Sequence, residues 1–310
     1  MSPDVAASIR ARLLNKAKQT GEEFELFLVR YACERFLYRL GASEFRDRCI
    51  LKGAGLLAVW MKDPYRATRD LDLLAHIPSD ESSIRNTVKE ICAVPCPEDG
   101  LTFDLDSLGV SPIRAGEEYQ GQRVVLRAFL GRARIRLQID FGFGDAVTPE
   151  PEEVEYPTLL PGLPAPRLRT YPREASVAEK FEAMIQLGRR NSRMKDFHDI
   201  WALSSAFAFE GSVLLRAVVA CFERRGTAWT DEPPDALRSE FYYDPNLQTR
   251  WTEYMRAGAF QAAPPASFES IGERLIQFLG PLRDSILEGG SFDMGWTPGG
   301  PWQPNRERTA

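Results

Sequence analysis

One stretch limits this 310-residue chain more than any other. Leu51-Lys52-Gly53-Ala54-Gly55-Leu56-Leu57-Ala58 reads as the end of a short strand over 49–52, a glycine turn and a helix start. Arg66-Ala67-Thr68-Arg69-Asp70-Leu71-Asp72-Leu73-Leu74 then reads as a second strand. A period of two puts Asp70 and Asp72 on one face and Leu71 and Leu73 on the other. Two carboxylates on one strand face repel each other, so the pair is stable mainly in water or bridged by a divalent cation. A glycine turn lets backbone N–H groups approach an anion closely. An Asp-x-Asp by itself is usually a solvated strand face, and a Gly-x-Gly by itself is usually a turn. The order strand, glycine turn, helix, acidic strand is more specific, and it points to a site for a metal ion and a triphosphate.

Later segments supply the rest of a sheet. Leu101–Leu105 reads as a strand, and Gln122–Phe129 and Ala133–Phe141 read as a hairpin around Leu130-Gly131-Arg132. In the second hairpin strand Ile135, Leu137 and Ile139 face one way, and Arg134, Arg136, Gln138 and Asp140 the other. Asp140 is thus a third carboxylate on a strand, as a two-metal site requires. Helices are expected over 5–18 and 22–40, the second with Phe24, Phe27, Leu28, Tyr31, Phe36 and Leu40 near helical spacing and Gly41 as a stop. Asp80 is placed to cap a helix running to Cys92.

Composition removes several function classes. The net charge of −5 does not mark a bulk nucleic-acid binder. Five cysteines, odd in number and scattered, and two histidines make a structural zinc site improbable and weaken histidine-based nucleophilic mechanisms. Residues 1–18 lack the apolar core of a signal peptide, and no window approaches a membrane span, so the expected place is the cytoplasm, away from membranes.

The chain divides into a core over 1–150 with N-terminal helices, a linker over 151–172 rich in proline, a helical domain over 173–288, and a loose tail over 289–310. Helices are expected near 174–188, 194–207, 211–225, 234–240, 246–258 and 267–288. The first contains Glu179-Lys180. A basic stretch follows it, Arg189-Arg190-Asn191-Ser192-Arg193-Met194-Lys195, and then Asp196-Phe197-His198-Asp199. Asp196 and Asp199 share a helix face at i, i+3. The plain structural reading is a salt-bridged helical hairpin in which Arg193 and Lys195 pair with those aspartates.

The opening motif resembles that of the DNA polymerase β-like nucleotidyltransferases. The whole pattern resembles the AbiEii/AbiGii family of nucleotidyltransferase toxins, which includes the MenT toxins. The residues that carry the likeness are Leu51–Gly55, then Arg66, Thr68, Asp70 and Asp72, then Asp140, then Glu179 and Lys180, then Arg193, Lys195, Asp196 and Asp199. The match runs over about residues 24–207. The turn departs from the family pattern at Ala54, which supplies no hydroxyl.

The resemblance implies an α+β fold: a nucleotidyltransferase core with a mixed sheet, followed by a mostly helical C-terminal domain. It implies transfer of a nucleoside monophosphate from a nucleoside triphosphate to an acceptor hydroxyl, most of all the 3′ end of a tRNA, in a toxin–antitoxin system with a cognate antitoxin protein. Asp70, Asp72 and Asp140 would hold Mg²⁺, and with Lys180 and Asp199 would form the catalytic set. Lys52, Gly53, Ala54, Gly55, Arg69, Lys180 and Asp196 would bind the nucleotide, and Asp199 with Asp196 would position Lys180. Arg189, Arg190, Arg193 and Lys195 would track the acceptor RNA. Lys180 lacks an i+4 carboxylate, and on that ground it is expected to point across an interdomain cleft toward Asp70 and Asp72. The alternatives are a protein or small-molecule acceptor, such as an aminoglycoside, and a catalytically degenerate module that only binds nucleotide.

Overall fold

A computed structural model describes residues 4–61, 68–113, 121–145, 147–258 and 267–305. Arg66 and Ala67, quoted in the acidic-strand motif, lie outside them. The chain forms two compact units, Met1–Asp145 with Pro151–Tyr171, and Ala146–Glu150 with Pro172–Ala310.

In the first unit, α1 (Val5–Thr20) starts at Asp4, whose carboxylate accepts the Ala7 N–H, and ends at Gly21 with φ 72°. Next come α2 (Phe24–Gly41), β1 (Cys49–Lys52), a 3₁₀ turn over Gly53–Leu56, the single-turn α3 (Leu57–Trp60) and β2 (Asp70–Ala75). α4 (Glu81–Ala93) is capped by Asp80 as expected. β3 (Leu101–Pro112), β4 (Gln122–Leu130), β5 (Ala133–Phe143), β6 (Glu152–Glu155) and β7 (Arg167–Thr170) complete the unit.

All seven strands join one mixed sheet in the order β3-β4-β5-β2-β1-β7-β6. β2 runs parallel to β5, and β1 parallel to β7, while the other pairs are antiparallel. The sequence-expected strands over 69–75, 101–105, 122–129 and 133–141 therefore share this sheet. β3 runs on to Pro112 because a register shift between Asp104 and Gly109 lets it follow β4 around a bend. The register is held by burial. Leu71, Leu73, Val124, Leu126, Ile135, Leu137 and Ile139 are all at most 2% exposed. A one-residue slip would turn each of them to the polar face.

The stretch over 151–172 is not a linker. Its two ends form β6 and β7, which extend the sheet, and most of its prolines lie in the connection between them, where no ladder N–H is required. Side chains from the helices fix that connection. Lys16 donates to the Leu159 carbonyl at 2.8 Å, Arg35 donates to the Pro164 carbonyl at 3.0 Å, and Glu34 accepts the Leu159 N–H. Glu34 and Arg35 are buried and ion-paired to each other. Burial pushes the Glu34 carboxyl up from its ordinary pKa, against the opposing pull of Arg35.

The second unit contains α5 (Arg173–Leu187), α6 (Met194–Ala206), β8 (Phe209–Glu210), α7 (Gly211–Arg225), α8 (Ser239–Tyr242), α9 (Pro245–Ala257), α10 (Phe268–Leu287), β9 (Met294–Trp296) and β10 (Trp302–Pro304). The helix expected over 234–240 is instead a 3₁₀ turn over Asp235–Leu237 followed by α8. The tail is ordered through residue 305, contrary to the expectation of a loose segment. β9 and β10 form a three-stranded sheet with β8. The Trp296 indole donates to the Ser204 carbonyl at 2.6 Å, and the Trp302 indole to the Phe278 carbonyl at 2.9 Å. Two amphipathic rings that find both apolar cover and an acceptor outweigh the turn-forming glycines around them.

Candidate active site

Strand register assembles a row of charge across the first unit. Lys52 on β1 is opposite Asp72 on β2, Asp72 is opposite Asp140 on β5, and Asp140 is opposite Arg123 on β4. The row reads plus, minus, minus, plus, with all four side chains on one face of the sheet. Asp70, two residues along β2, shares that face and is opposite Gln138. Neighbouring carboxylates repel, and the flanking cations offset that repulsion.

Each carboxylate also has its own contact. Arg123 grips Asp140 with both arms of its fork, Nε to Oδ1 at 2.8 Å and Nη2 to Oδ2 at 2.7 Å. These bonds to Asp140, together with the charges of Asp70 and Asp72, raise the Arg123 pKa above its ordinary value. Thr68 Oγ1 donates to Asp70 Oδ1 at 2.7 Å. Lys52 Nζ pairs with Asp145 Oδ2 at 2.9 Å and lies 5.4 Å from the centre of the Tyr171 ring. Neither Arg123 nor Asp145 was singled out in the sequence. Arg123 stands on the polar side of an alternating strand, but only the β4–β5 register places it against Asp140.

The glycine turn lies against the same row. Gly53 has φ 70°, and a Cβ built there would collide with the Asp72 carboxylate. Glycine is thus required twice, by the left-handed backbone and by the space. Gly55 is buried, and a Cβ there would meet only the Leu51 side chain at 3.4 Å. Ala54, between them, is part of the same 3₁₀ turn.

Asp70, Asp72 and Asp140 are hard oxygen donors of the type that Mg²⁺ takes. Among the described residues no group of three His, Cys, Asp or Glu side chains is gathered closely enough to hold an ion. The donor chemistry and the cradle at Gly53 fit a divalent cation at Asp70 and Asp72, with Asp140 engaged by Arg123.

Beside Asp70 lies a cleft of about 310 Å³ lined by Glu25, Leu26, Val29, Arg69, Asp70, Arg136 and Gln138. Arg69, assigned to nucleotide binding, is exposed on its rim and pairs with Glu23 at 3.3 Å.

In the second unit, Lys180 on α5 pairs with Asp196 at 3.0 Å and Asp199 at 2.7 Å, both on α6. The two aspartates are at most 1% exposed. Arg193 also pairs with Asp196, at 2.7 Å. The inference that Lys180 needs a remote partner because position 184 is Met184 is corrected by this geometry. Its carboxylates come from the next helix of the same unit, and a count of i+4 neighbours could not reveal them. The salt-bridged hairpin is realised through Arg193, while Lys195 is exposed. Arg189 pairs with Asp244 at 2.8 Å and Arg190 is exposed. Two members of the expected RNA strip, Arg189 and Arg193, therefore brace the helical unit.

A mixed sheet bearing three carboxylates on one face beside a glycine turn, with a helical unit after it, is the α+β layout expected of a nucleotidyltransferase. The chain belongs to the family described as "Nucleotidyl transferase AbiEii toxin, Type IV TA system", which it matches over residues 35–274. Two solved structures are similar to it. One is a Helicobacter pylori protein assigned as a nucleotidyltransferase, 14% identical, covering 83% of this chain and 94% of that one, with a TM-score of 0.46. The other is JHP933 from Helicobacter pylori, 14% identical, covering 82% of this chain and 90% of that one, with a TM-score of 0.45. No curated protein matches the chain. Among the described residues no helix is long and apolar enough to cross a membrane.

Proposed function

We propose that this protein transfers a nucleoside monophosphate from a nucleoside triphosphate to the 3′ hydroxyl of a tRNA in the cytoplasm, and that a cognate antitoxin restrains it. The observation that carries this reading is the row Lys52–Asp72–Asp140–Arg123 beside the Gly53 turn. In the reaction the acceptor oxygen attacks the α-phosphorus. A new P–O bond forms, the bond to the β-phosphate oxygen breaks, and pyrophosphate leaves. Bound Mg²⁺ would neutralise charge on the phosphates and act as a Lewis acid.

Asp70 and Asp72 are the residues that would hold it. Asp140, oriented by the Arg123 fork, takes the acceptor proton. The backbone N–H groups of Gly53, Ala54 and Gly55 and the Lys52 ammonium meet phosphate oxygens. Positioning and electrostatics of this kind carry most of phosphoryl-transfer catalysis.

The test is incubation with each α-labelled nucleoside triphosphate, Mg²⁺ and total RNA or total protein. Label is expected on tRNA, released pyrophosphate should match it one for one, and chelation of Mg²⁺ should abolish transfer. Label on protein or on no macromolecule overturns the acceptor.

A further inference from the structure

The polar face of β5 carries more than Asp140. Arg134, Arg136, Gln138 and Asp140 alternate along it, and Arg132 precedes them by one step in the β4–β5 turn. Arg132, Arg134 and Arg136 are exposed. None of the three makes an ion pair among the described residues, whereas Arg127 on the neighbouring strand is held by Asp104 at 2.9 Å. Alternate residues of a strand recur about every 6.7 Å. Arg134 and Arg136 on β5 thus stand about 6.7 Å apart on one face, in line with Gln138 and then Asp140, and Arg132 lies in the turn just before them. Three neighbouring exposed arginines without an ion pair among the described residues are unexpected on a chain of net charge −5. A flexible polyanion would meet them one after another.

The cleft lies where this line meets Asp70. Arg136 and Gln138 from β5 line it together with Leu26 and Val29 from α2 and the carboxylates of Glu25 and Asp70, in about 310 Å³. That volume is at the lower end of small-ligand pockets and suits one planar ring. Apolar side chains together with an amide and a guanidinium suit a nucleobase, through its faces and its edge.

We propose that the β5 face is the docking track for the acceptor strand, a single-stranded RNA end. Its backbone phosphates lie along Arg132, Arg134 and Arg136, and its terminal base enters the cleft beside Asp70. This rests on the nucleotidyl-transfer reading above and gives it a location. It places the acceptor on the sheet that holds the carboxylates.

The test uses the full chain and a fluorescein-labelled single-stranded oligoribonucleotide with a free 3′ hydroxyl, with binding followed by anisotropy over a range of salt. Arg134→Glu/Arg136→Glu is expected to weaken binding at least tenfold. It should also flatten the slope of log affinity against log salt by about 1.4, or about 0.7 per lost phosphate contact. Both arginines are exposed, so the thermal melt should hold. Gln138→Ala should weaken binding without changing the salt slope. The proposal is overturned if the wild type does not bind the RNA, if the double variant binds it with unchanged affinity and slope, or if Arg190→Glu/Lys195→Glu produces the loss instead. RNA binding that follows these expectations, with no nucleotide transferred to any RNA, supports the track and overturns the reaction.

Discussion

At the residue scale the site is a balance of charges, and each member has a separable consequence. Asp70→Ala removes one of three carboxylates and the Thr68 hydrogen bond of 2.7 Å. The lost bond costs about 1 kcal/mol, and relief of repulsion offsets it. Stability should therefore stay within about 1 kcal/mol of wild type in urea melts. Transfer of labelled nucleotide should fall by several orders of magnitude, and a variant that keeps wild-type rates with Mg²⁺ would remove Asp70 from the site. Gly53→Ala is expected to behave differently. An L-residue at φ 70° costs about 1–2 kcal/mol, and its methyl group would displace the Asp72 carboxylate. Both stability and nucleotide binding should drop, and calorimetric titration with a non-hydrolysable triphosphate reads the second effect. Arg123→Gln would leave Asp140 without its counter-ion. Here kcat should fall more than KM rises, because the carboxylate acts on the acceptor proton, and a loss confined to KM would contradict that role.

At the element scale the connection from β6 to β7 decides whether the sheet is complete. Leu168 on β7 is fully buried. Leu168→Ala should cost about 2–5 kcal/mol, visible as a lower urea midpoint. Were the segment a solvated linker, the same change would cost almost nothing. The C-terminal β9–β10 pair makes the parallel case for the helical unit. A chain cut after residue 290 loses Trp296 and Trp302, the indole bonds to Ser204 and Phe278, and the stacking of Trp302 on Phe278 at 5.6 Å. It should melt well below the full chain and expose the α10 core to hydrogen exchange.

For the whole molecule, buried thiols set an alkaline limit. Burial raises Cys33 and Cys49 from 9.0 to about 12. The folded chain keeps these protons, while the unfolded chain releases them above its pKa of 9.0. Their contribution is therefore complete below pH 9 and is lost as pH rises toward 12. Urea melts at pH 8 and pH 10.5 should differ, by up to about 1.4 kcal/mol per thiol and pH unit. Native protein at pH 8 should resist thiol reagents at both positions until it unfolds, and fast modification there would show that the first unit opens readily.

Local pattern alone fixed a good deal of this molecule. The alternation of Asp70 and Asp72 with Leu71 and Leu73, and of Arg136, Gln138 and Asp140 with Ile135, Leu137 and Ile139, determined which side chains share a face, because a strand repeats every two residues. Helical spacing and caps such as Asp80 placed the main helices to within a residue or two, and the ordered series of motifs pointed to the family. Other features depended on partners far apart in the chain. The pairing of Asp140 with Arg123 follows from β4–β5 register, and that of Lys180 with Asp196 and Asp199 from the packing of α5 on α6. Prolines between 151 and 172 and glycines after 289 signal turns, and they carry no information on whether the flanking residues find a sheet edge or an apolar pocket. Lys16, Glu34 and Arg35 decide the first, and the acceptors at Ser204 and Phe278 decide the second. Contacts between residues distant in sequence form only when the tertiary structure closes, so no local pattern encodes them.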